Sequence, residues 1–316
     1  MIALLATGGT IVGVGDGGEY KAGVLGVCEL LERANDALGV NLREKFKLKA
    51  EQIANIDSCD MTDALWLRLA KRCAELAPKT QGIVITHGTD TMEETAFFLS
   101  LVLQSPKPVV LTGSMRAQNT ARWDGAQNLY NALLLASCNS ARGVFVAMNG
   151  RIFAPKAVQK THTTRLNAFK FGELGRIVGG KISIQSKNLP QNSLKFDISR
   201  LKTLPKVDIL YSYSNDGSSV AANALFESGA KGLVIAGSGA GSIHTAHKET
   251  LKGLLKKGLK VVVSSRCGGV ALRREDSELG FISAGRLNPQ KARVLLMLAL
   301  TKTNDNGKIA EIFAKI

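Results

Sequence analysis

The chain has 316 residues, of which 45% are hydrophobic and 32 are glycine, and it carries a formal net charge of +15. This length and composition are typical of a globular protein with a large core, and they exclude disordered, collagen-like and coiled-coil classes. The longest nearly apolar run, residues 294–301, is far shorter than the roughly 20 residues that span a bilayer, so we expect no membrane partner. Most of the positive excess lies in residues 187–316 at the spacing of a solvated helix face, and no nucleic-acid-binding module accompanies it. We therefore expect no nucleic-acid partner.

Short apolar runs alternate with longer helical stretches, which is the pattern of parallel βαβ units. In chain order the elements are a strand at 2–6, a helix at 63–75, a strand at 82–86, a helix at 91–103, a strand at 109–112, a helix at 125–137, and strands at 143–148 and 209–213, followed by a helix at 219–228, a strand at 232–236, a helix at 245–257 and a strand at 261–265. The sequence predicts an α/β protein with a larger N-terminal doubly wound (flavodoxin-like) domain and a smaller C-terminal α/β domain. A polar stretch predicts boundaries at 1–186 for the first domain, 187–206 for a linker and 207–316 for the second domain.

The cysteines indicate a reducing compartment. There are five, at positions 28, 59, 73, 138 and 267, and they contain no CxxC spacing, which favours free thiols over a disulfide framework or a zinc site. No basic segment or cleavage site precedes the first strand. We expect a cytoplasmic protein, or a periplasmic one if a leader has been removed.

Four polar segments follow predicted strands or lie in loops, at residues 7–10, 58–60, 86–91 and 160–164. Ligands of open α/β sheets bind beyond the carboxyl ends of the strands, so these segments are the first candidates for a site. In the first, Thr10 closes a glycine-rich turn in which backbone N–H groups can approach a ligand, and it is a candidate nucleophile. Residues 11–23 contain five glycines and Tyr20, which suits a mobile lid carrying a phenolic acid or base. An ordinary strand-to-loop turn is the alternative.

A second hydroxyl and carboxylate pair, Thr89 and Asp90, precedes a predicted helix. Asp90 or Thr91 could simply cap that helix, because both residue types are favoured N-caps. Lys160, which lies in a threonine-rich loop, favours the functional interpretation. A lysine that is desolvated beside a threonine can be neutral and accept the proton of the threonine hydroxyl.

Two other signals are weaker. His244 and His247 lie three residues apart without carboxylate or thiolate partners at suitable spacing, so we expect no metal site. The glycine-rich turn at 237–241 lacks the third glycine of a dinucleotide fingerprint, so no nucleotide cofactor is expected and an oxidoreductase is the least favoured class.

Taken together, the motifs at 6–11, 87–95 and 160–161 resemble those of the bacterial L-asparaginase (asparaginase/glutaminase) family, and similarity extends through 107–110, 124–132 and 287–293. The resemblance implies a hydrolase that releases ammonia from the side-chain amide of L-asparagine through an acyl-threonine intermediate. It also implies a homotetramer with active sites completed between subunits, and no cofactor. A minor glutaminase activity stays open, as does a non-catalytic amino-acid sensor on the same fold.

The resemblance also assigns roles to residues. Thr10 is the expected nucleophile, assisted by Tyr20 on the lid. Thr89, Lys160 and Asp90 form a second constellation, in which Asp90 also pairs with the substrate's α-ammonium. Ser58, Cys59 and Ser114 complete the expected substrate-binding set, with Ser58 on the α-carboxylate.

Several features depart from the family pattern. Cys59 stands where glutamine is common, the turn at 239–241 lacks the asparagine that is frequent there and has Ala240, and the acid lent by a neighbouring subunit has no unambiguous match among Glu275, Asp276 and Glu278. The preference for asparagine or glutamine is therefore left open. Cys73 has no partner near Ser105, where a disulfide is sometimes seen, which again favours a reducing compartment.

Overall fold

A computed structural model describes residues 1–16, 19–184, 194–269 and 277–316. The side chains of residues 16, 19 and 20 are not among the described parts. The chain divides into two compact units, Met1–Arg200 and Leu201–Ile316. The described helices are all too short or too polar to span a membrane.

The first unit is built on one large mixed sheet. The strands of this unit are β1 Ile2–Gly8, β2 Val14–Asp16, β3 Glu19–Lys21, β4 Leu48–Ile56, β5 Gly82–Thr86, β6 Pro108–Thr112, β7 Gly143–Met148, β8 Arg151–Phe153, β9 Gln159–Lys160, β10 Phe169–Lys170, β11 Glu173–Val178 and β12 Lys181–Ile184. Strands β2 and β3 form a separate two-stranded sheet, as do β9 and β10. Its helices are α1 Val27–Leu38, α2 Leu42–Phe46, α3 Asp63–Leu76, α4 Met92–Val102 and α5 Gly125–Ala136.

Strand order within the described part of this sheet is β12-β11-β8-β7-β6-β5-β1-β4. The segment from β4 to β7 is parallel and has the 2-1-3-4-5 order of flavodoxin-like folds, which confirms the predicted fold class. Strands β8, β11 and β12 extend it in antiparallel fashion, a feature that the βαβ pattern did not predict. Successive strands are added on one side of β1 for β4 and on the other side for β5, so the strand order reverses between β1 and β5, and ligands bind at such a switch point.

The central strands are buried on both faces, which explains their continuous apolar runs. Residues of β1, β5 and β6 are buried throughout. Leu4 and Val84 join a core cluster with residues of α1 and α5. Leu5 and Ile85 point to the opposite face and are equally buried. Helices α3 and α4 pack together through Trp66 and Phe98, whose rings stack at 5.2 Å between centroids.

The second unit has its own parallel sheet, in the order β13-β14-β15-β16. Its elements are β13 Val207–Tyr211, α6 Ser218–Glu227, β14 Gly232–Gly237, α7 Thr245–Lys256, β15 Lys260–Ser265, β16 Ile282–Ser283, α8 Pro289–Leu300 and α9 Asn306–Ala314. Strand β13 begins two residues before the predicted strand and ends two residues earlier, because Val207 already pairs with Gly232 of β14.

The predicted domain limits of 1–186, 187–206 and 207–316 remain predictions, since part of the linker lies outside the described residues. Described residues of the predicted linker bond to the end of α4: the Phe196 N–H donates to the carbonyl of Leu101 at 2.9 Å, and Lys195 Nζ donates to the carbonyl of Ser100 at 2.6 Å.

Candidate active site

Three of the four polar segments meet at the carboxyl ends of neighbouring parallel strands. Gly9 follows β1 with φ +85°, and a Cβ atom there would lie 2.4 Å from both the N and the Cα of Gly88, which follows β5. A Cβ atom on Gly88 would in turn lie 2.6 Å from Oγ of Ser58, which follows β4. Glycine at both positions therefore lets three backbones touch, and it brings the neighbouring residues Thr10 and Thr89 to one place.

The second predicted constellation, Thr89, Asp90 and Lys160, is joined by hydrogen bonds. Lys160 Nζ donates to Thr89 Oγ1 at 2.8 Å and to Asp90 Oδ1 at 2.5 Å. The Thr89 residue is 4% exposed, and the Lys160 side chain is 14% exposed. The Asp90 side chain is 55% exposed, so an ammonium group can reach it. The short strand β9 supplies Lys160 from 70 residues away along the chain.

The capping alternative describes only the position of Thr91. Thr91 is the N-cap residue of helix α4, but its side chain makes no capping hydrogen bond. The Thr91 hydroxyl instead donates to the carbonyl of Ser58 at 2.7 Å, while the Asp90 carboxylate accepts from Lys160. Both side chains therefore stabilise contacts between segments that are distant in sequence.

Ser58 presents an unsatisfied polar atom at this point. The residue is 2% exposed, and its Oγ is buried without a hydrogen-bond partner among the described residues. A buried hydroxyl that lacks a partner is unfavourable by about 1–3 kcal/mol, so a ligand oxygen placed beside it would be stabilised. This observation supports the predicted role of Ser58 in binding a substrate carboxylate.

The adjacent Cys59 is exposed, and the pKa of its thiol is raised by partial desolvation and by the carboxylates of Asp57 and Asp60. The thiol is therefore neutral at pH 7, and substrate binding by Cys59 stays a prediction.

A buried hydrogen-bond chain that sequence reasoning missed fixes the backbone of Gly88. Trp66 Nε1 donates to Thr95 Oγ1 at 2.9 Å, and this hydroxyl lies 2.9 Å from His87 Nε2. His87 Nδ1 lies 2.7 Å from the carbonyl of Gly88, so we assign the proton to Nδ1 and the acceptor role to Nε2. Burial lowers the pKa of His87 to about 4, against the opposing effect of the bond to Gly88. The imidazole is thus neutral at pH 7, so its unprotonated Nε2 can accept the hydrogen bond from the Thr95 hydroxyl.

Asp124 organises the loop that follows β6. Its carboxylate accepts from the backbone N–H groups of Met115 and Arg116 at 3.0–3.1 Å and from Asn128 Nδ2 at 2.9 Å. The Ser114 hydroxyl lies 2.8 Å from the same carboxylate and also contacts the carbonyl of Arg116. Substrate binding by Ser114 stays a prediction, and its hydroxyl is already engaged within this loop.

Tyr20 lies on strand β3, which pairs with β2 so that Tyr20 stands opposite Gly15. Its side chain is outside the described parts of the structure, and its catalytic role stays a prediction. The same holds for two of the candidate partner-site acids, Glu275 and Asp276, which fall in the undescribed segment. Glu278 is described and exposed.

The two histidines considered as metal ligands have other surroundings. His244 Nδ1 accepts from the Ala246 N–H at the start of α7, while His247 is buried 3.6 Å from Asp216. Within the described ranges, no group of three or more His, Cys, Asp or Glu side chains could hold a metal ion.

Comparisons with known proteins show that the similarity to asparaginases covers nearly the whole chain. Residues 1–190 match the family model described as "Asparaginase, N-terminal", and residues 206–313 match that described as "Glutaminase/Asparaginase C-terminal domain". L-asparaginase 2 of Escherichia coli (strain K12) is 44% identical over 99% of this chain and 92% of that protein. A probable periplasmic L-asparaginase of Haemophilus influenzae is 42% identical over 99% of this chain and 92% of that protein. The crystal structure of a probable cytoplasmic L-asparaginase from Campylobacter jejuni superimposes with a TM-score of 0.94 at 53% identity, covering 100% of this chain and 99% of that one.

Proposed function

The chain belongs to the asparaginase family, and from that premise we propose that its site hydrolyses the side-chain amide of L-asparagine to L-aspartate and ammonia, with L-glutamine as a minor substrate. One observation carries the proposal: Lys160 Nζ donates to both Thr89 Oγ1 and Asp90 Oδ1 beside the Gly9–Gly88 contact. A hydroxyl, a carboxylate and a cation meet there next to a second threonine, which is what stepwise amide hydrolysis requires.

We assign the first chemical step to Thr10. Its Oγ attacks the amide carbon, the amide C–N bond breaks, and ammonia leaves with a proton that Tyr20 relays from the Thr10 hydroxyl. Backbone N–H groups of the glycine-rich turn are suited to stabilise the negative charge that develops on the carbonyl oxygen. The product of this step is an ester between Thr10 and the aspartyl group.

The second step is hydrolysis of that ester. A water molecule adds to the carbonyl carbon, the ester C–O bond breaks, and the proton returns to Thr10. Thr89 is placed to orient this water, and Lys160 and Asp90 are hydrogen-bonded so as to control the proton of Thr89.

Substrate is held by groups at the edges of the same site. The unpartnered Oγ of Ser58 is suited to donate to the α-carboxylate, and the half-exposed carboxylate of Asp90 to pair with the α-ammonium. Cys59 occupies the adjoining position, where a neutral thiol replaces an amide and reduces the hydrogen bonding available to the substrate.

The decisive experiment measures ammonia release from L-asparagine and from L-glutamine by the wild type, Thr10→Ala and Thr89→Ala. Thr250→Ala serves as the control, because Thr250 lies half-exposed on α7 and its hydroxyl makes a long hydrogen bond, 3.5 Å, to the carbonyl of Ala246 in its own helix. We expect asparagine turnover to fall at least 100-fold in both site variants and to persist in the control. Wild type that binds aspartate without releasing ammonia from pH 6 to 9 would favour the sensor alternative.

A mass measurement on quenched enzyme separates the two threonines. An aspartyl adduct on the peptide that contains Thr10, trapped at short times, supports the assigned order. An adduct on the peptide that contains Thr89 would reverse it.

We further propose a homotetramer in the cytoplasm. All five cysteines are free, and burial raises the pKa of the Cys73 thiol to about 12, so it is unreactive at pH 7. Light scattering on the purified protein tests the tetramer, and cell fractionation tests the location.

A further inference from the structure

The hairpin that carries Tyr20 has an outer edge formed by strand β2. Asp16 pairs with Glu19 and Gly15 with Tyr20. Hydrogen-bonded and non-hydrogen-bonded residue pairs alternate along an antiparallel ladder. The N–H and the C=O of Gly15 both bond to a side chain outside the hairpin, so Gly15 forms a non-hydrogen-bonded pair with Tyr20 and its polar groups point away from β3.

Asn119 occupies this edge. Its Oδ1 accepts from the Gly15 N–H at 2.8 Å, and its Nδ2 donates to the Gly15 carbonyl at 2.6 Å. The side-chain amide thus pairs with Gly15 as a residue of a third strand would. A further bond joins the same segments, because the Gln118 N–H donates to the carbonyl of Gly13 at 2.9 Å.

Asn119 is held by a loop with internal order of its own. The Thr120 N–H donates to the carbonyl of Ala117, and the Trp123 N–H donates to the carbonyl of Thr120. The carboxylate of Asp124 binds the start of the loop through two backbone N–H groups, directly before α5. Because α5 packs in the core, Asn119 is tied to the rigid part of the first unit.

We infer that Asn119 is a positioning residue that fixes the hairpin at the point opposite Tyr20 and so sets where the phenol stands in the reaction. The inference rests on the proposed function, in which Tyr20 relays a proton. Asn119 contacts neither substrate nor reacting atoms in this assignment, and it acts through Gly15. The residue is exposed, so its two hydrogen bonds compete with water and each has a moderate effect.

The first measurement compares the kcat and KM of Asn119→Ala with those of the wild type and Gln118→Ala. Gln118 is the matched control, since its backbone N–H is the group that bonds to the described part of the hairpin and alanine retains that group. We expect kcat of Asn119→Ala to fall about five- to thirty-fold with KM changed less than two-fold, as for the loss of 1–2 kcal/mol. Gln118→Ala should match the wild type. Wild-type kcat in Asn119→Ala would overturn the inference.

A double-mutant cycle separates positioning from a general loss of folded enzyme. With Tyr20→Phe, the phenol that Asn119 positions is absent, so Asn119→Ala should have little further effect on kcat. Equal fold reductions in both backgrounds would overturn the inference, because a merely structural role acts independently of Tyr20.

Hydrogen exchange gives a readout independent of turnover. The Gly15 amide should exchange at least five-fold faster in Asn119→Ala than in Gln118→Ala, and unchanged exchange would contradict the hydrogen bond on which the inference depends. A wild type without asparaginase activity refutes the proposed function instead, and in that case the exchange result still decides whether Asn119 holds the hairpin.

Discussion

The contact between Gly9 and Gly88 offers the sharpest test of how the site is assembled, and the substitution is Gly9→Ala. The added Cβ would lie 2.4 Å from the N and Cα of Gly88, whereas ordinary van der Waals contact begins near 3.4 Å. Backbone atoms on both sides leave no flexible side chain to move aside. The two turns must therefore separate by about 1 Å, the difference between these distances.

Such a displacement acts directly on chemistry, because Thr10 and Thr89 are the next residues along each turn. A misplacement of about 1 Å can reduce turnover roughly 100-fold. Gly9 also has φ +85° and ψ −173°, a region that is essentially restricted to glycine and adds about 1–3 kcal/mol of strain for alanine. We expect kcat/KM for L-asparagine to fall at least 100-fold and the midpoint of thermal unfolding to decrease.

Gly39→Ala is the control. Gly39 also has a positive φ, +62°, but a Cβ atom there would meet nothing within 4 Å. We expect it to lose about 1–2 kcal/mol of stability from the left-handed conformation and to keep wild-type kcat/KM. Ammonia release and circular dichroism on the same samples separate loss of activity from loss of folded protein. Folded Gly9→Ala with kcat/KM within three-fold of the wild type would refute the reasoning.

Three further predictions concern single side chains. Lys160→Met removes Nζ from Thr89 and Asp90 while keeping the aliphatic stem, so kcat should fall about 10²–10⁴-fold; a steady-state kcat near that of the wild type would contradict the proton role. Ser58→Ala should raise KM about ten-fold, yet leave the free energy of unfolding in urea undiminished, because the deleted hydroxyl has no described protein partner. Burial lowers the pKa of His87 to about 4 in the folded chain, against about 6.5 in the unfolded chain. As the pH falls, the unfolded chain therefore binds a proton at His87 before the folded chain does. The contribution of His87 to stability is therefore complete above pH 6.5 and decreases by about 3 kcal/mol as the pH falls to 4, a slope that urea titrations should find smaller in His87→Gln.

Much of the fold could be read from the chain because the central strands are covered on both faces. Strands β5, β6 and β7 carry continuous apolar runs, and all three were predicted within one residue of their observed ends. Strand β4 was not predicted, since it lies at the edge of the described sheet, its residues are mostly half-exposed, and its apolar residues are interrupted by polar ones. The antiparallel strands β8, β11 and β12 are too short to show a clear alternation of apolar and polar residues.

The site, like the fold, has one part that could be predicted from the sequence and another that could not. Topology makes the convergence of Gly9, Ser58 and Gly88 predictable, because parallel strands place their carboxyl ends at one edge and the glycine-rich turns mark those ends. The sequence by itself therefore determined the fold class, the family resemblance and the location of the hydroxyl groups. Only the tertiary structure decided which partners these groups have.

Contacts between distant segments account for that difference. The burial of Lys160 and its bonds to Thr89 and Asp90 depend on a two-residue strand that has no detectable pattern. Thr91 has the composition of a helix cap, yet its hydroxyl bonds to a carbonyl 33 residues away. The amide of Asn119 pairs with a glycine 104 positions earlier. The folded backbone determines which polar groups come within hydrogen-bonding distance of a side chain. The local sequence does not predict contacts with residues that are far away along the chain.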